Sequence, residues 1–191
     1  MTEDEFWQLI EAAGAGRDRH DGGDAIADAI TDLLATRDLD AILDYQEHFD
    51  RLHDALYQWK YWAAGYVLGG GCSDDAFIDF RAGVISLGRD WYQRFRADPD
   101  CLADHEEVRV QAARGDDEAL FAEPVNYAAA DVYEWVTGRR DEFYDRLAER
   151  RKLRGELDAE PDLGENFDFE DGAEMHRRLP RLATLYGWST D

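Results

Sequence analysis

The chain has 191 residues, 45% hydrophobic and 13% aromatic, enough for a substantial core despite a net charge of −23. That charge comes from 21 basic and 44 acidic residues, so no large basic face can be assembled and direct binding to nucleic-acid phosphates is disfavoured. No apolar stretch approaches a membrane span, and the acidic start Met1-Thr2-Glu3-Asp4-Glu5 lacks the basic and apolar parts of a secretory signal, so the chain reads as cytoplasmic.

Thr2 and Glu5 have capping-box spacing and predict a helix carrying Phe6, Leu9, Ile10 and Ala13, stopped by Gly14 and Gly16. Residues 14–23 form an acidic, Gly-rich loop, and Asp24 can cap a second helix with Ile26, Ile30, Leu33 and Leu34 on one face. Asp38 opens a long periodic segment through Leu39, Ile42, Tyr45, Phe49, Leu52, Leu56 and Trp59 to Leu68, with a break expected between Asp54 and Trp59. Gly69 or Gly70 supplies a left-handed stop, and Ser73 caps the next helix, which has Asp74 and Asp75 in its first turn and ends near Leu87-Gly88.

A segment with Trp91, Tyr92 and Phe95 follows, then a short helix from Asp98-Pro99. Residues 104–122 read as a weak helix and an exposed loop around Gly115-Asp116-Asp117. Pro124 starts a helix stopped by Gly138, and Phe143 and Leu147 lie on a charged helix to about Leu153. Residues 155–170 form an irregular acidic segment, followed by short helices around Glu174–Leu179 and Arg181–Tyr186, broken before Pro180. No strand alternation and no repeat occurs. The expected fold is a single all-α domain over residues 1–191, an irregular bundle of seven to nine helices without significant sheet.

Three stretches carry a resemblance: Asp4-Glu5-Phe6-Trp7-Gln8-Leu9-Ile10-Glu11; Ala63-Ala64-Gly65-Tyr66 with Gly70-Gly71-Cys72-Ser73-Asp74-Asp75, Phe77, Phe80-Arg81 and Ile85-Ser86-Leu87-Gly88-Arg89; and Asp98-Pro99-Asp100-Cys101-Leu102-Ala103. Together they resemble a bacterial domain-of-unknown-function family, number four-two-four-zero, which Gly164-Glu165-Asn166-Phe167-Asp168-Phe169 and Leu179-Pro180-Arg181-Leu182 also fit. Ala76 stands where the family pattern leads one to expect glycine, and the arginine-rich stretch 139–155 is longer than the expected connection. The resemblance implies single-domain architecture and directs attention to residues 70–89. It implies no reaction, cofactor or catalytic residue.

The turn Gly69–Asp75 has two readings. As punctuation, its glycines end one helix, Ser73 caps the next and the aspartates complement its dipole. As a site, it is a polar junction beside an aromatic wall, suited to a cation more than to a phosphate because Asp74 and Asp75 already supply negative charge. Cys72 reads as a small packing thiol, since neighbouring carboxylates oppose thiolate formation and no histidine lies near it in sequence. Cys101 is distant, and the pair forms neither a disulfide framework nor a CxxC metal motif.

Asp74, Asp75 and Asp79 could hold a divalent cation, but ion pairs from these acids to Arg81 and Arg89 are the favoured reading. Asp50-x-x-His53 lacks the second copy of the acid-x-x-His pattern of carboxylate-bridged metal bundles, His105-Glu106-Glu107 lacks the second histidine of a zincin, and no triad, phosphate loop or dinucleotide fingerprint occurs. Trp59, Trp62 and Tyr66 share a helical face and Tyr61 points away from it; Trp59 is expected in the core. A groove lined by Trp62, Tyr66, Gly70, Gly71, Cys72, Ser73, Asp74 and Asp75, with Arg81 and Arg89, is the candidate ligand or partner site. Arg146, Arg150, Arg151, Lys152 and Arg154 form the basic cluster. They suggest a salt-bridged surface helix, or a patch that docks on a second copy.

The expected function is a non-catalytic binding or regulatory module without cofactor, metal or membrane, acting on a protein partner or as a homo-oligomer. The alternatives are a metal-assisted enzyme built on Asp74, Asp75 and Asp79, and an acidic mimic of nucleic acid that occupies a basic protein.

Overall fold

The computed structural model describes residues 1–17, 22–116, 120–155 and 162–189. Parts of the predicted loops at 14–23, 115–117 and 155–170 therefore lie outside the described residues. Among those described, the chain is all-helical, with no strand, and no helix is long and apolar enough to cross a membrane. The α-helices are α1 (Glu3–Gly14), α2 (Asp24–Leu34), α3 (Leu39–Asp54), α4 (Trp59–Gly69), α5 (Asp74–Ser86), α6 (Arg89–Ala97), α7 (Glu106–Arg114), α8 (Ala128–Thr137), α9 (Arg140–Leu153), α10 (Gly172–Arg178) and α11 (Pro180–Leu185). Two 3-10 segments, Pro99–Asp104 and Glu123–Asn126, complete the set.

The count exceeds the expected seven to nine because prolines and local caps cut the chain into short pieces. Pro99 opens a 3-10 turn and not an α-helix, Pro124 lies in a second such turn before α8, and Pro180 separates α10 from α11. The all-α class stands. Several boundaries follow the predicted chemistry. Thr2 and Glu5 form the capping box of α1, Asp38 caps α3 through Ala41 N, and Ser73 Oγ accepts from Ala76 N at 3.2 Å. The long segment breaks after Asp54 and resumes at Trp59. Asp24 is an exception: Gly23, at φ 89°, holds the cap position, and Asp24 is the first residue of α2.

Buried side chains from Phe6 in α1 to Leu182 in α11 belong to one contiguous cluster. Two glycines set its tightest approaches. A Cβ at Gly65 would sit 3.1 Å from the Phe80 ring, which fixes how closely α4 and α5 approach. A Cβ at Gly83 would sit 1.7 Å from the Leu120 carbonyl oxygen, so α5 meets the chain before the second 3-10 segment backbone to backbone. Leu120 takes φ 66° there, a left-handed conformation costly for leucine.

The helix α9 is polar almost all round and buries only Phe143 and Leu147. Its arginines meet the acidic face of α3. Arg146 and Arg150 both reach Asp40 at 2.9 Å, Arg150 reaches Asp44 at 2.6 Å, and Arg154 reaches Glu47 at 2.7 Å. Arg151 lies 3.6 Å from Asp50 and 3.7 Å from Asp54. The acidic face that the basic cluster meets therefore belongs to the same chain. Burial opposes ionisation of Asp44, but the Met1 ammonium and Arg150 outweigh it and hold the carboxyl below its usual range.

Candidate functional site

α4 is buried on both sides, which explains its dense aromatic run. Tyr61 faces α6, its ring 5.1 Å from Phe95 and its hydroxyl donating to the Arg96 carbonyl. Trp62 is buried between Trp59 and Phe77, with ring centroids 5.3 and 4.7 Å away, and its Nε1 donates to the Cys72 carbonyl at 2.9 Å. Trp59, expected in the core, is only half-buried, and Trp62 takes the core position.

Trp59 and Tyr66, beside the predicted groove, are covered by the chain's own tail, while Gly70 and Ser73–Asp75 of the turn stay exposed. Trp59 N donates to the Leu163 carbonyl, Phe169 packs on Trp59 and Tyr66, and the Tyr66 hydroxyl donates to the Glu170 carboxylate. Trp188 closes on Tyr66 from the other side, its ring 5.7 Å away. The periodicity of α4 shows an aromatic stripe but says nothing of a segment about a hundred residues later that covers it.

The expected polar network of Asp74, Asp75, Arg81 and Arg89 does not form. Asp74 and Asp75 are exposed in the first turn of α5. Arg81 lies one to two helical turns further on and turns inward between Phe77 and the core. Its Nε donates to the Phe77 carbonyl and its Nη1 to the His53 carbonyl, and the guanidinium sits over the Tyr57 and Phe77 rings. Burial lowers its pKa to about 10, with Asp54 opposing the shift. Arg81 thus caps the C-terminal end of α3. Arg89 pairs instead with Asp4 of α1 at 2.5 Å and lies over the Trp7 ring.

Asp79 turns to the second 3-10 segment and accepts from Asn126 Nδ2 at 3.0 Å. Burial, then Glu123 and Asp75, push its carboxyl up to about 6. Among the described residues no group of three His, Cys, Asp or Glu side chains is arranged to hold a metal ion. Cys72 is half-buried, and burial pushes its thiol up to about 12, the reverse of an activated nucleophile. His53 stacks on Phe49 and pairs with the Ile78 carbonyl. Burial, then Arg81, lower its pKa to about 4.

What remains open beside the turn is a cleft of about 390 Å³ at the C-terminal end of α4. Val67 and Leu68 of α4 and Leu185 of α11 give it apolar surface, and Ala112 of α7 lines it. Three helices end on it. Gly70, Gly115 and Gly187, at φ 60°, 70° and 67°, follow α4, α7 and α11 respectively, and all three line it. Tyr186, Trp188 and Asp116 supply the remaining lining. The Tyr186 hydroxyl donates to the Val108 carbonyl at 3.4 Å. Trp188 Nε1 donates to the Val67 carbonyl at 3.3 Å, and the Trp188 carbonyl pairs with His176 Nε2 at 2.8 Å. Of the ten predicted site residues, only Gly70 lines this cleft, and Tyr66 supports it through Trp188.

The wall formed by α11 is held by a residue that sequence reasoning used only as part of a resemblance. Asp100 is 4% exposed, and both carboxylate oxygens accept from Arg181 N at 3.1 Å while Oδ1 also accepts from Leu182 N at 2.9 Å. A carboxylate on the first-turn N–H groups of a helix satisfies orphan donors and complements the dipole. The only sequence signal is an aspartate one residue after a helix-opening proline, which does not name the helix it serves.

The fold and the packing around α4 define an all-helical protein, among the described residues, whose Trp59 and Tyr66 are covered by its own C-terminal segment. The chain belongs to the family described as protein of unknown function (DUF4240), which matches residues 1–135. The match includes the central 63–89 stretch and Asp98–Ala103, whereas the resemblance drawn from 164–169 and 179–182 lies beyond it. No curated protein and no solved structure matches the chain.

Proposed function

We propose that this chain is a binding or regulatory module whose ligand seats in the cleft where α4, α7 and α11 end. One observation carries the proposal: the cleft is lined by apolar residues (Val67, Leu68, Leu185), two aromatic residues (Tyr186, Trp188) and one carboxylate (Asp116), a composition suited to a small molecule. Among the described residues its lining holds one carboxylate, Asp116, and one phenol, Tyr186, but no serine, cysteine or histidine, which favours recognition over nucleophilic or acid–base chemistry. Its volume lies at the small end of the range for ligand pockets, roughly 300–1,000 Å³. That fits a compact metabolite-sized ligand better than a folded partner.

The test is an unbiased fragment screen read by amide chemical shifts on the full chain. Hits are expected to perturb the amides of Gly70, Gly115 and Gly187 and the Trp188 indole N–H as one cluster. Hits that gather elsewhere, with those four signals unmoved, would overturn the proposal.

A further inference from the structure

Resting on that reading of the cleft, we propose that its ligand is a small organic cation, an ammonium or quaternary ammonium head group. The backbone supplies the first reason. A helix C-terminus carries roughly half a negative elementary charge on its unpaired carbonyls. Three helix C-termini, those of α4, α7 and the six-residue α11, converge on one cleft through Gly70, Gly115 and Gly187; several of their last carbonyls are paired, so each end contributes less than the full helix-end charge. Among the described residues no helix N-terminus, which would favour an anion, contributes to the lining.

The aromatic walls act in the same sense. The Trp188 indole N–H is engaged by the Val67 carbonyl and the Tyr186 hydroxyl by the Val108 carbonyl. Both aromatic residues line the cleft, and aromatic rings attract cations through their π faces. Charge completes the pattern. Among the described residues Asp116 is part of the lining and no lysine, arginine or histidine is. Val67, Leu68 and Leu185 suit the alkyl groups of such a ligand, and a net charge of −23 draws cations towards the whole surface.

The experiment titrates the full chain with choline and with its neutral carbon isostere, in which a tert-butyl group replaces trimethylammonium. Amide shifts and the Trp188 indole signal are read. Choline is expected to shift the Gly70, Gly115, Gly187 and Trp188 signals and to bind at least about tenfold more tightly than the isostere. Ala112→Lys, which adds an ammonium at a half-buried lining position, should weaken choline at least about tenfold more than Ala112→Gln, which adds similar bulk without charge. Equal binding of choline and isostere in the cleft would overturn the cation inference and leave the cleft as the ligand site. Choline shifts confined to other surfaces would also overturn the inference, and the fragment screen then decides separately whether the cleft binds anything. Equal loss in the lysine and glutamine variants would show that shape and not charge governs the site.

Discussion

Replacing Asp100 by alanine isolates the anchor on which one wall of the cleft depends. The substitution removes a nearly buried carboxylate that takes the N–H groups of Arg181 and Leu182. α11 has six residues, too few to persist without tertiary support. Loss of a capping side chain costs about 1 kcal/mol, and hydrogen bonds to a charged group about 1.5–3 kcal/mol. Because the two N–H groups share one carboxylate, a total of about 2–3 kcal/mol is expected. With a urea dependence of about 2–3 kcal/mol per molar for a chain of this size, the unfolding midpoint should fall by roughly 1 M. Asp100→Asn keeps one acceptor and should lose about half as much. Urea unfolding followed by circular dichroism gives the midpoint, and amide exchange at Leu182 and Leu185 reports on α11 itself. A midpoint within about 0.2 M of wild type, with α11 amides still protected in the alanine variant, would refute the anchoring role.

Gly83→Ala should be severe, because its Cβ would lie 1.7 Å from the Leu120 carbonyl oxygen and backbone must move on one side; a loss of about 3 kcal/mol or more is expected in thermal or urea unfolding, and a neutral result would contradict the close approach. Asp79 titrates near 6 in the folded chain, above its ordinary value, so the native state binds that proton more tightly and gains stability as pH falls from about 6 to about 4. Asp79→Asn keeps an acceptor for Asn126 and should stabilise the chain near neutral pH by about 1 kcal/mol, after allowance for solvent screening; that advantage should vanish near pH 4, and one that persists unchanged there would contradict the assignment. The Cys72 thiol, pushed up to about 12, should react with a thiol reagent at neutral pH more slowly than a free cysteine by at least about tenfold; reaction at the free rate would refute its burial.

The helices were legible because each is a local event. The Thr2–Glu5 box, the Ser73 cap and the glycine after α4 are written within a few residues of the ends they control. The pairing of those helices was not. Asp100 and Leu182 are 82 residues apart, and Arg150 and Asp44 are 106 apart, and neither side chain announces its partner by spacing. The basic cluster could be recognised, but whether its acidic complement lay on α3 or on another molecule depended on tertiary packing.

Arg81 shows the limit from the other side. It lies six and seven residues from Asp75 and Asp74, beyond the three- or four-residue spacing at which helical side chains meet, and it shares the inward face of Phe77 and Phe80. Spacing alone argued against the predicted pairs. The stop at Gly70 and a short helix ending at Tyr186 could be read locally, but spacing along the chain does not say that these two ends and Gly115 meet.

The most direct test of the central claim is a crystal of the full chain soaked with bromobenzyl-trimethylammonium, with the bromine located by its anomalous signal. The account predicts the cation between Tyr186 and Trp188, at the ends of α4, α7 and α11. Bromine bound elsewhere on this acidic surface, with the cleft empty of it, would contradict the account.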